Sequence, residues 1–307
     1  MTTKSDFMSA LRQRTLLCDG AMGTQLMARG LTSGECGEKW NLDRPADIEA
    51  IHRAYSEAGC DLVTTNTFGG TSATLERHGL AGQVAELNEA GARLARRAVE
   101  SLPGRTHWVL GDMGPFGGFL EPVGDMSVVD LQRMFAQQAQ ALHRGGADAI
   151  IIETMVDPGE LAVAVRAARE VAGWPIIATY AFNKIAGDAG GSSGFRTIMG
   201  TDVAAAVNAA IDAGADVVGA NCGTSLSLED YLRLAEALVQ AAGGTPVIVQ
   251  PNAGSPVMVD GKLHHPASPA DMAGFVPRLQ QIGVRIIGGC CGTSPAHLRA
   301  MAATLRR

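Results

Sequence analysis

The sequence predicts an α/β fold of one kind, a closed (β/α)₈ barrel, and three observations lead there. Eight short apolar runs, each suited to a buried parallel strand, alternate with stretches of helical period. A weak internal repeat precedes four of the runs: Gly59-Cys60-Asp61, Gly146-Ala147-Asp148, Gly214-Ala215-Asp216 and Gly283-Val284-Arg285. Each copy reads as a helix end, a glycine just past it, and entry into a strand. No Gly-rich dinucleotide fingerprint follows the first strand, which argues against an open doubly wound sheet.

The elements follow in order. The first strand is expected at 16–20, where an apolar run ends in Asp19-Gly20, and a helix at 48–58 leads to the first repeat glycine. The strand at 62–65 ends in Thr65-Asn66-Thr67, and 83–101 has the apolar spacing of a long helix. The third pair is 107–113 and 130–145. The fourth is 149–152, an unbroken apolar run ending at Glu153, and 158–171, which begins with proline. Then come 175–182 with 201–213, 217–220 with 228–242, 246–251 with 269–282, and 286–289 with 295–305. The Gly/Ser-rich stretch 187–200 reads as a mobile loop over the barrel mouth, and 115–122 as a second loop. With no linker or charge run, residues 1–307 are expected to form a single domain.

Bulk properties exclude several classes. The 307 residues carry a net charge of −6 with no basic cluster, so neither nucleic acid nor an anionic membrane is an expected partner. The N-terminus lacks a signal-peptide core, and no apolar run is long enough to span a bilayer. A cytoplasmic location is expected, where six cysteines serve as thiols or metal ligands rather than disulfides.

In a barrel, chemistry gathers at the C-terminal ends of the strands. The polar residues expected there are Asp19, Asn66, Thr67, Asp112, Glu153, Tyr180, Asn183, Asn221, Cys222, Asn252, Cys290 and Cys291. Two cysteine clusters stand out: Asn221-Cys222-Gly223 and Gly288-Gly289-Cys290-Cys291-Gly292. A lone cysteine is usually a small buried residue. Three thiols converging from two strand ends, with glycines that let an adjacent pair turn toward one point, instead suit a catalytic Zn²⁺ with one open position. A thiol substrate at that position points to thiol alkylation. Cys18, Cys36 and Cys60 read as structural. The seven histidines form no His-x-His pair, which argues against a histidine-held metal, and His264-His265 reads as an exposed loop.

Taken with Asp19-Gly20-Ala21-Met22-Gly23-Thr24, Thr65-Asn66-Thr67-Phe68-Gly69 and Pro251-Asn252-Ala253-Gly254, these motifs resemble the homocysteine S-methyltransferase family over about residues 16–305. Glu38-Lys39-Trp40-Asn41 and the segment 261–265 are most similar to its bacterial betaine–homocysteine members; the homocysteine domain of cobalamin-dependent methionine synthase belongs to the same family. The resemblance implies methionine synthesis with zinc on Cys222, Cys290 and Cys291. It implies that Asp19 and Glu153 hold the homocysteine ammonium and that the backbone from Gly20 through Ala21, Met22 and Gly23 to Thr24 receives its carboxylate. Asn66 and Asn221 are expected beside the substrate. Related barrels assemble as oligomers, so a homo-oligomer is expected.

The methyl donor is read more loosely. The expectation is a small onium compound, such as glycine betaine or S-methylmethionine, because a chain of this length lacks the cobalamin and folate domains of methionine synthase. An aromatic wall for its cation would come from Trp40, Phe68, Phe116, Phe119 and Tyr180. Phe116 and Phe119 draw notice because they sit in a Gly-rich loop with no obvious core role. The alternatives are a separate corrinoid protein delivering the methyl group and, more remotely, a non-enzymatic zinc- or thiol-binding sensor.

Overall fold

A computed structural model describes residues 4–102, 106–185, 194–259 and 262–306. The eight expected strands are present: β1 (Leu16–Leu17), β2 (Leu62–Thr64), β3 (Trp108–Met113), β4 (Ala149–Met155), β5 (Ile176–Tyr180), β6 (Val217–Asn221), β7 (Val247–Gln250) and β8 (Ile286–Ile287). All pair in parallel with their neighbours in chain order, and β8 returns to β1 with Leu16 opposite Ile286. A bridge between Cys18 and Leu62 closes the ring. The expected helices surround it, from Pro45–Ala58 to Pro295–Leu305. Among the described residues, no helix is long and apolar enough to cross a membrane.

Strand period decides what fills the barrel. Leu16, Leu62, Trp108, Leu110, Ala149, Ile151, Ile177, Val217, Ile248 and Ile286 form one buried inner cluster. It is sealed by a helix that the sequence reading did not anticipate, Lys4–Gln13, which buries Phe7 and Leu11. The Phe7 ring meets Trp108 edge-on at 5.7 Å. This helix closes the end of the barrel opposite the site.

The internal repeat has a physical reason. Gly59, Gly146, Gly214 and Gly283 all have φ between 94° and 112°, the left-handed turn that ends a helix cheaply only with glycine. The aspartates that follow hold the bottoms of adjacent strands together. Asp61 accepts from Leu17 N and from both terminal nitrogens of Arg14, at 2.9–3.0 Å. Asp148 accepts from Val109 N at 2.8 Å and Arg96; Asp216 accepts from Ile176 N at 2.9 Å and Arg169. Buried carboxylates need such pairing, and these serve stability at the face away from the chemistry.

Two excursions differ from the sequence reading. Asn183–Ile185 pairs with Gly194–Arg196 as an antiparallel hairpin where a loop over the mouth was expected; residues 187–193 of that loop lie outside the described residues. Val257–Val259 pairs with Lys262–His264, so His264 ends a hairpin strand. His265 packs inward, its ring against Gly292, and is not an exposed loop residue.

At the mouth the inward period continues into polar residues: Thr64, Asp112, Glu153, Thr179, Asn221 and Gln250, beside Cys18 and Gly288. The apolar barrel therefore ends in a polar ring, and the site stands on it.

Candidate active site

The three thiols meet. Ligand atoms of Cys222, Cys290 and Cys291 all lie within 4.8 Å of one another, with Cys290 and Cys291 Sγ at 4.0 Å. Three thiolates about 2.3 Å from one tetrahedral ion stand about 3.8 Å apart. The donor set and its spacing thus fit a soft divalent ion.

Local backbone creates this meeting. Cys222 has φ 54° and Gly223 φ 96°, so the chain turns sharply off β6. A Cβ on Gly223 would lie against the Phe182 carbonyl. Tyr231 donates its hydroxyl to the Cys222 carbonyl, and Asn252 Nδ2 donates to the Gly223 carbonyl at 3.2 Å. On the other arm, Cys290 N donates to Pro251 O at 2.8 Å and Ala253 N to Cys291 O at 2.9 Å. Thr293 Oγ1 donates to Cys290 O at 2.7 Å, and Gly292, at φ 80°, donates its N–H to Thr24 Oγ1 at 3.1 Å. The thiols share protons unequally. Hydrogen bonds from Cys290 and Cys291 hold the Cys222 pKa down at about 3, while the same sharing pushes Cys290 well up and Cys291 to about 11.

Asn221 ties this cluster to the acids. Its Oδ1 accepts from Thr154 N at 2.8 Å and Thr179 Oγ1 at 2.7 Å. Its Nδ2 reaches Thr154 Oγ1 at 2.7 Å, Glu153 Oε2 at 3.3 Å and Cys290 Sγ at 3.9 Å. Every polar atom of the amide is therefore engaged with the protein. Glu153 owes its aim to an irregularity in β4: the register shifts between Ile152 and Met155, and Thr154 has φ 60°.

Three carboxylates share the mouth. Asp19 is buried and accepts from Thr64 N at 2.8 Å and Thr64 Oγ1 at 2.7 Å. Burial pushes its pKa up to about 7, against those hydrogen bonds. Burial, then Asp19 and Cys222, push Glu153 to about 8. Asp112 is raised well above the carboxylate range by burial and by Glu153, Glu38 and Asp19. No Lys, Arg or His pairs with any of the three among the described residues. Such a group of desolvated acids suits a ligand that brings positive charge.

The remaining expected residues divide. At Gly20 to Thr24 the chain enters the short helix Met22–Ala28, whose N-terminus has no side-chain cap; Ala21 N donates to Thr293 Oγ1 at 3.1 Å. Asn66 uses both amide hydrogens on Gly37 O and Asn41 Oδ1, at 2.9 and 3.0 Å, bracing the segment that carries Trp40. The five aromatics do not form one cage. The Arg44 guanidinium covers the Trp40 ring at 3.9 Å. Phe116 is buried in the core, contrary to the expectation that it lacks a core role, and Tyr180 is buried near Phe182. Phe68 and Phe119 are the exposed ones. Sequence reasoning gave no role to Asp112, Thr154, Tyr231 or Thr293; only Asp112 was flagged, as a polar strand end.

Comparisons with known proteins identify the family. A family model described as homocysteine S-methyltransferase matches residues 16–305. The chain is 35% identical over 314 residues to methionine synthase of Mycobacterium tuberculosis, covering 98% of this chain and 25% of that protein. It is 34% identical to methionine synthase of Mycobacterium leprae over 99% of this chain and 25% of the relative. It thus spans about a quarter of the length of these curated relatives. Among solved structures it resembles the homocysteine methyltransferase MmuM from Escherichia coli. The oxidized form is 26% identical with TM-score 0.76, covering 96% of this chain and 98% of that one. The metallated form is 25% identical with TM-score 0.75, covering 95% and 96%.

Proposed function

Because the chain belongs to the homocysteine S-methyltransferase family, we propose that it makes methionine by moving a methyl group from a small onium donor, glycine betaine or a relative such as S-methylmethionine, to the sulfur of homocysteine, with Zn²⁺ held by Cys222, Cys290 and Cys291. One observation carries this reading: a three-thiol cluster stands at the barrel mouth beside desolvated carboxylates that have no basic partner among the described residues. When bound, the ion supplies a Lewis acid that lowers the pKa of a substrate thiol at its open position.

The chain's own residues do the rest. Asp19 and Glu153 hold the substrate ammonium, and its arrival returns both to their ionised forms. The uncapped backbone at Gly20 to Thr24 receives the carboxylate. With both ends fixed, the thiolate sulfur faces the mouth and attacks the methyl carbon of the donor. The carbon–onium bond breaks, and its electron pair leaves with a neutral amine or thioether. Alignment and exclusion of water are what the site contributes to that displacement. Asn221 positions Glu153 and Cys290.

A second reading has support of its own. Identity to the methionine synthases, at 35%, exceeds that to MmuM, at 26%. A methyl group delivered by a separate corrinoid protein would use the same homocysteine site. The test is methionine formation by the zinc-loaded chain with homocysteine and a panel of onium donors, without corrinoid. Turnover establishes the first reading; homocysteine binding without turnover moves the conclusion to the second.

A further inference from the structure

Asp112 is the acid that the scheme above leaves without a task. It lies at the end of β3 and points into the mouth, two positions beyond inward-facing Leu110. Only 4% of it is exposed. Its backbone is fully engaged: N donates to Thr65 Oγ1 at 2.9 Å, and O accepts from Thr67 Oγ1 at 2.8 Å and Gln138 Nε2 at 3.3 Å. Its side chain is not, since Oδ1 is buried with no hydrogen-bond partner. A carboxyl group held dry and unpartnered is costly unless something from outside completes it.

Its surroundings name the chemistry of that ligand. The nearby charges that act on it, Glu153, Glu38 and Asp19, are all negative. One positive charge, the homocysteine ammonium, is matched by Asp19 and Glu153. The other positive charge in the reaction belongs to the donor. Two residues beyond Asp112, Gly114 N donates to the Phe68 carbonyl at 3.0 Å, and the Phe68 ring packs on Gly114, where a Cβ would come within 2.6 Å. Phe68 is 39% exposed. β3 also stands across the ring from β7, four strands away, and β7 lies between the strands that lead to Cys222 and to Cys290-Cys291. In an in-line displacement the onium atom lies on the far side of the methyl group from the sulfur. A donor lying across the mouth from the three-thiol cluster therefore has its onium atom toward β3.

We infer that Asp112 is a specificity-determining residue of the donor half-site, its carboxylate facing the onium centre of the methyl donor with the Phe68 ring as the adjoining wall. The inference rests on the onium-donor reading. A carboxylate and an aromatic face together select a cation over a neutral molecule of the same shape. The donor loses its positive charge as the methyl group leaves, so this attraction is strongest in the ground state. Asp112 thus serves donor binding more than the chemical step.

The experiment uses the zinc-loaded full chain with homocysteine bound. Calorimetry measures tetramethylammonium and its neutral carbon isostere 3,3-dimethylbutan-1-ol on the wild type, Asp112→Asn and Asp112→Glu. Donor KM and kcat are measured in parallel. The expected result is a wild-type preference for the cation that Asp112→Asn reduces by about tenfold, with binding of the isostere and of homocysteine unchanged. Donor KM rises by a similar factor, kcat does not fall, and Asp112→Glu keeps the preference. An Asp112→Asn protein that binds the cation like the wild type overturns the inference, as does one that loses homocysteine binding instead. A wild type that binds homocysteine but no onium ion overturns the donor reading itself, and that outcome is visible without any variant.

Discussion

Asn221→Ala tests the claim that the site is one connected frame. The wild-type amide satisfies two buried donors, Thr154 N and Thr179 Oγ1, and donates toward Thr154 Oγ1 and Glu153. Alanine leaves both donors without an acceptor inside the barrel. Each orphaned group costs about 1–3 kcal/mol, so a loss of about 3 kcal/mol in unfolding free energy is expected. The same change frees Glu153 and removes the amide 3.9 Å from Cys290 Sγ. Loss of an outer-shell partner weakens metal binding by about 10–100-fold. Urea unfolding reads the first quantity and competition with a chelator of known affinity reads the second. Asn221→Asp separates the two effects: it keeps an acceptor for Thr154 N and Thr179 but sets a like charge beside Glu153. Metal affinity within about threefold of wild type in the alanine protein, with unfolding free energy unchanged, would falsify the frame argument.

Three further outcomes follow from the geometry. Cys290→Ala removes one of three thiols and is expected to abolish both zinc retention and methionine formation; metal analysis alongside turnover decides it, and unchanged turnover refutes the assigned site. Gly292→Ala forces a side chain into φ 80° and toward the His265 ring, 2.2 Å from its Cγ, so a destabilisation of about 2 kcal/mol or more is expected, and a melting curve like that of the wild type contradicts it. Methionine has no thiol, so the pH dependence of its binding reports the acids. Asp19 and Glu153, raised to about 7 and about 8, must be ionised to take the ammonium; affinity therefore rises with pH from 6 to 8, and Asp19→Asn flattens that rise. The stability sign is opposite. Between the unfolded carboxylate values and these raised ones the native chain holds the extra protons, so the unliganded protein loses stability as pH rises through that window.

Much of the fold was legible because strand and helix periods are local properties. The eight runs and the four repeat glycines could be read directly, and the repeat aspartates acquired their meaning once they were seen bonding to the start of the neighbouring strand. The helix Lys4–Gln13 escaped because its partners, such as Trp108, are distant in sequence. At the site, the cysteines were legible by type and setting. The donor aromatics were not. Aromatic identity does not say whether a ring is free, and Trp40 is covered by Arg44 while Phe116 joins the core. Asn66 and Asn221 also brace their neighbours, Asn66 through its amide hydrogens and Asn221 through its whole amide, a role that only hydrogen bonds reveal.

Charge at the mouth bears on the choice of donor. Glu153, Glu38 and Asp19 act on Asp112, Asp19 also acts on Glu153, and no basic side chain pairs with Asp19, Asp112 or Glu153 among the described residues. On the proposed reading, three thiolates around a divalent ion would add a net negative charge, and homocysteine bound as its thiolate zwitterion, ammonium included, would add another. In a poorly solvated cavity such an excess is felt strongly. A cationic donor relieves it on entering, whereas a neutral donor gains nothing and an anionic one is opposed. Within the small-molecule reading, electrostatics therefore favours an onium compound over a neutral or anionic one.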